Sequence, residues 1–136
     1  MTGQKFIVST LVGAVTLFVV GFLIYGVALM SYLEANTMAG LAKAEPDWVM
    51  LVLGNVASAG LLSTAIGTWA KSGGAADGLR IGLQLGLLMA LSVDLTIYAT
   101  SHVFNSLTAM AVDAAAYTVM MTIGGAAVGA AIGRRA

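Results

Sequence analysis

Four long apolar runs constrain this chain more than any other feature. They cover roughly residues 6–30, 48–70, 79–101 and 107–133. Each is long enough to cross a hydrocarbon layer of about 30 Å as a helix. A soluble domain could not absorb them: the 136 residues are 60% hydrophobic and 9% charged, against about 25% charged in soluble proteins. A small domain also leaves much of its surface exposed, so the apolar excess requires lipid as its solvent. The expected fold is an all-α membrane protein, a compact four-helix transmembrane bundle forming one domain over residues 1–136. A signal peptide is a poor reading of the first run, because its apolar region should span about 7–15 residues.

An even number of spans puts both termini on one side. That side carries Lys5, Lys71, Arg80, Arg134 and Arg135, and the other only Lys43. The positive-inside rule then places both termini in the cytoplasm. Trp48 and Trp69 bracket the second span, as aromatic belts do at the two interfaces. The Ala44–Trp48 run reads as a helix start, with Pro46 in the first turn and the acids at the positive end of the helix dipole. Within the polar connection of residues 31–47, positions near Tyr32 to Leu41 fit either a short interfacial helix or an ordinary loop.

Lipid gives helices no hydrophobic drive to associate, so small residues that permit close backbone approach mark the seams. Gly78, Gly82 and Gly86 recur every fourth residue in span three, and Gly125, Gly129 and Gly133 do so in span four. A short turn joins these spans. They should therefore be antiparallel neighbours, pressed together at their cytoplasmic ends and splayed towards the outer side.

Two carboxylates interrupt the apolar runs, each with a tyrosine four residues later: Asp94 with Tyr98, and Asp113 with Tyr117. An acid in hydrocarbon is costly and needs a partner. At 1.5 Å per residue both lie roughly 10 Å below the outer boundary, with Asn55 of span two at similar depth. Tyr25 of span one falls in the same half, and Gln84 lies deeper. The candidate binding residues are thus Asp94, Asp113, Asn55, Tyr98, Tyr117 and Tyr25. An i,i+4 pair shares a helix face, so each aspartate can reach its tyrosine, or both can point into one interior seam. No cation occurs at that depth, so two adjacent carboxylates should not both ionise. The functional reading is a proton or cation site, or a pocket for a small polar substrate. The structural reading is interhelical hydrogen bonding, worth about 0.6 kcal/mol on average.

Other chemistries find little support. Cysteine is absent and the single histidine, His102, makes no metal site. Ser58, Ser63 and Ser92 have no histidine at their depth, so a hydrolase triad is unsupported. No cofactor motif occurs, and the scattered cations do not suit nucleic acid.

The run Val93-Asp94-Leu95-Thr96-Ile97-Tyr98-Ala99-Thr100, followed by Leu107 to Asp113, resembles the second half of small bacterial membrane proteins in families of unknown function. The likeness extends to Tyr25-Gly26 and to Pro46–Trp48. Some such proteins carry an acid in span one, about five residues before the glycine matching Gly26; here that position is Gly21. The resemblance implies four spans in a bacterial inner membrane and a recurring pair of acids, without an activity. Two functions compete. One is a small carrier or binding protein with a buried, proton-titratable polar pocket near the outer leaflet, a dimer if it transports, with membrane lipids or a larger membrane complex as partners. The other is a non-catalytic accessory subunit whose acids are interhelical glue.

Overall fold

The structure is a computed structural model and describes residues 1–133; Arg134 and Arg135, on which part of the charge asymmetry rests, lie outside the described residues. Helix α1 (Gly3–Gly21) opens at Thr2, whose hydroxyl accepts the Lys5 N–H at 3.2 Å. It runs on as a π-helical stretch, Phe22–Ala28, in which the Leu29 N–H reaches the Ile24 carbonyl, five residues back. A short helix α2 (Met30–Asn36) follows and covers only the first half of the stretch expected to be helix or loop; residues 37–41 are not helical. Helix α3 (Trp48–Ser63) opens at Asp47, whose carboxylate accepts the Met50 N–H at 3.1 Å. Pro46 therefore lies just outside the helix and not in its first turn: Asp47 takes the capping position, for which Asp is well suited. α3 also ends in a π-helical turn, Thr64–Trp69.

Helix α4 (Ala75–Thr100) begins four residues before the expected start of span three. Gly74, at φ 120°, breaks the chain there, a backbone conformation open to glycine and little else. Asp77, which lies between the apolar runs of residues 48–70 and 79–101, sits in the first helical turn, where it accepts the Ser72 hydroxyl. Helix α5 (Leu107–Gly133) starts at the expected start of span four and runs to the last described residue; Ser106 caps it by accepting the Ala109 N–H at 3.1 Å. Four helical rods, Gly3–Ala28, Trp48–Trp69, Ala75–Thr100 and Leu107–Gly133, are long and apolar enough to cross a membrane. Their outer circumference carries side chains such as Val15, Val49 and Leu88, each about two-thirds exposed (66%, 66% and 67%).

Packing is uneven around the bundle. α5 is the central helix: it packs closely on α4 by one face and on α1 by another, while α3 lies against α1 and scarcely meets α4. A helix enclosed on two faces must be small-sided on both. Gly124 lets Leu17 and Leu62 approach one face, and Gly125 and Gly129 line the face towards α4. The core of Leu17, Leu62, Ile66, Met121 and Val128 sits between α1, α3 and α5.

The α4–α5 seam is built from the six glycines that the sequence singles out. A methyl group placed on Gly78 would lie 2.9 Å from the Gly129 Cα and run into the Gly125 carbonyl oxygen. One on Gly82 would lie 3.1 Å from the Gly125 Cα, and one on Gly86 2.7 Å from the Met121 Cβ. Backbone therefore touches backbone. Continued at the same spacing, the α4 stripe reads Gly86, Ala90, Asp94, Tyr98, so side chains grow steadily away from the glycine end.

The start of α1 meets the end of α5 at that glycine end, where the Lys5 ammonium donates to the Ile132 carbonyl at 3.1 Å. A cation suits the negative end of α5. At the opposite end, Met38 N–H donates to the Val103 carbonyl and Asn105 N–H to the Asn36 carbonyl, at 2.8 and 3.0 Å. These bonds tie the loop after α2 to the turn between α4 and α5.

Candidate functional site

Asp94 is the one carboxylate buried within the bundle, with 6% of its surface exposed. It lies six residues before the end of α4, and Asp113 six residues after the start of α5. The two helices are antiparallel, so the residues reach the same level, about 9 Å from the loop end at 1.5 Å per residue. The polar side chain facing Asp94 is that of Asp113, within hydrogen-bonding reach. No N–H or hydroxyl among the described residues supplies a bond to the buried Asp94 Oδ2. No Lys or Arg occurs between Arg80 and Arg134, so no cation from α4 beyond its first turns or from α5 can balance the pair.

Two tyrosines stand beside the acids. The Tyr25 hydroxyl, from the π-helical stretch of α1, donates to the backbone carbonyl of Asp113 at 3.4 Å. A π turn inserts one residue into the helical register, and here that local unwinding accompanies the reach of Tyr25 to α5. Tyr117 lies one turn along α5 from Asp113, partly buried against the core. Thus Asp94 of α4, Asp113 of α5 and Tyr25 of the π-helical stretch after α1 come together, with Tyr117 one turn further along α5.

Two expected members stand apart. The Asn55 side chain donates to the Leu51 carbonyl of its own helix at 3.0 Å and makes no hydrogen bond to either acid. The reason is topological: α5 separates α3 from α4, so residues at one depth need not share one seam. Tyr98 is 42% exposed. It lines a surface cleft of about 450 Å³ at the loop end together with His102 and Asn105. Four residues beyond Asp94, it is too close to the end of α4 to be enclosed. A second cleft, of about 460 Å³, opens at the termini end. Neither cleft touches Asp94 or Asp113.

Sequence reasoning missed a buried hydroxyl cluster between α1 and α3. There the Ser9 and Ser63 hydroxyls lie 3.0 Å apart and Thr10 donates to Ser63 at 3.1 Å. The adjacency of Ser9 and Thr10 was the available signal, but single-chain periodicity does not reveal which helix faces them. Comparison with protein-family models, with curated proteins and with solved structures gives no match for this chain.

Proposed function

We propose that this chain is a multi-pass membrane protein whose working element is the Asp94–Asp113 pair, a titratable site in a small carrier or binding protein. Four rods of membrane-crossing length support the setting. Lys5, Lys71 and Arg80 lie towards the termini end, with Arg134 and Arg135 next in sequence, which favours cytoplasmic termini. The resemblance to small bacterial membrane proteins with paired acids makes the inner membrane the natural location. A dimer is the expected unit if the protein transports, because four helices are few for alternating access.

The observation that carries this reading is the enclosed Asp94 carboxyl with Asp113 as its neighbour. An ionised carboxylate only accepts hydrogen bonds, whereas a protonated one also donates. Two adjoining carboxyls therefore bond each other only by sharing a proton. In this reading the pair holds one proton between α4 and α5 and exchanges it, or a small cation in its place, from the loop end. Tyr25 and Tyr117 complete the polar surroundings.

A second reading has its own support. α4 is held almost entirely by α5, and neither cleft reaches the acids. The pair would then be glue that fixes one peripheral helix, in an accessory subunit without transport.

Infrared spectroscopy of the reconstituted protein separates these readings. The first requires a protonated-carboxyl band at neutral pH that disappears on alkaline titration, and that is absent from Asp94→Asn with Asp113→Asn. A wild-type spectrum showing both groups ionised at neutral pH removes the titratable site. A protonated band that no alkaline titration can discharge leaves only the glue.

A further inference from the structure

We propose that the cleft at the termini end binds the phosphate of an anionic phospholipid headgroup. The inference rests on the membrane reading above but not on the acid pair, which lies at the other end of the rods. The cleft, about 460 Å³, is walled by the start of α1, the last turn of α3 with the turn after it, and the end of α5. Lys5, Lys71 and Thr68 give it two cations and a hydroxyl, over an apolar floor of Gly67 and Ile132.

Charge at this end is one-sided. Among the described residues, Lys5, Lys71 and Arg80 outnumber Asp77 at this end, and Asp77 accepts the Ser72 hydroxyl. The opposite end has the reverse balance, with Glu34, Glu45 and Asp47 against Lys43. An anionic ligand is therefore matched to this cleft and mismatched to the other end. Lys5 spends one N–H on the Ile132 carbonyl, and an ammonium has three, so two remain for an anion. Lys71 has φ 50°, a left-handed conformation uncommon for a residue other than glycine. It is held there between the Ala70 N–H, bonded to the Ala65 carbonyl, and the Ser72 N–H, bonded to the Ile66 carbonyl, both at 2.9 Å.

Phosphate chemistry alone would admit inorganic phosphate as well as a lipid. Trp69 selects the lipid: it is 65% exposed beside Lys71, where an indole sits at headgroup level. Basic pockets between spanning helices on the cytoplasmic side are suited to anionic headgroups.

The test is a titration of the purified full chain in detergent micelles with phosphatidylglycerol or phosphatidylcholine, read by native mass spectrometry. Phosphatidylglycerol should bind in preference. Lys71→Gln should weaken it roughly fivefold and Lys5→Gln with Lys71→Gln roughly thirtyfold, at about 1 kcal/mol per cation. Lys43→Gln, at the other end, should leave it unchanged, and inorganic phosphate should not compete. Among the described residues the Lys71 ammonium makes no hydrogen bond, so the single variant keeps the test open if the double variant fails to fold. Equal affinity for the two lipids, equal loss in Lys43→Gln, or competition by inorganic phosphate would overturn the site. Extraction of the chain from membranes by alkaline carbonate would instead overturn the membrane reading beneath it.

Discussion

Tyr25 hydrogen-bonds the backbone of the residue whose side chain faces Asp94: its hydroxyl donates to the Asp113 carbonyl at 3.4 Å. α1 is thereby coupled to the acid pair although it contributes no carboxylate. The bond is long, and membrane hydrogen bonds average about 0.6 kcal/mol. Tyr25→Phe should therefore lower unfolding stability in micelles by less than about 1 kcal/mol. It should nevertheless alter the carboxyl infrared band, because the group beside the pair has changed. An unaltered band would show that Tyr25 is only a packing residue.

The glycine seam predicts a sharper cost. Gly78→Ala drives its new methyl into the Gly125 carbonyl oxygen, and overpacking of this kind typically costs about 1–3 kcal/mol. Gly54→Ala meets nothing within 4 Å and should be neutral or stabilising by about 0.5–1 kcal/mol, since alanine is the better helix former. Equal unfolding midpoints for the two variants would contradict the backbone contact between α4 and α5.

Asparagine can donate to a carboxylate, so Asp94→Asn should preserve the contact with Asp113. Its stability should stay within about 1 kcal/mol of wild type. Asp94→Leu cannot donate and leaves Asp113 without that partner; a loss of about 1–3 kcal/mol is expected. Matching the two substitutions by chemical denaturation tests whether the neighbouring carboxyl matters at all.

Ser63 joins two hydroxyls from α1, so Ser63→Ala should cost about 1 kcal/mol. Thr16→Ala removes only a bond to the Val12 carbonyl of its own helix and should cost less. The same denaturation assay would reveal a reversed order.

The sequence makes the rods legible because apolar length is a local property. The start of α5 at Leu107 is recovered, and the glycine seam follows because a four-residue spacing marks one helix face. The α4 start is missed because Gly74, and not the charged Asp77, sets the break. Depth alone suggests that Asn55 joins Asp94, but depth says nothing of rotation or of which helix intervenes. Asp94, Asp113, Tyr25 and Tyr117 come together through the central place of α5, which no pattern within a single run encodes. The π turns at Phe22–Ala28 and Thr64–Trp69 likewise carry no compositional mark.

The uneven packing around α5 has a consequence for assembly. α1 with α3, and α4 with α5, are two hairpins that each close a seam of their own. Their meeting surface is mainly that between α1 and α5. Each half can zip up soon after its second helix enters the bilayer, because its contacts join consecutive rods. Maturation then reduces to a single lateral encounter of two prefabricated halves. Severing the polypeptide at residues 71–73 would cut their tether and still leave that mating surface whole.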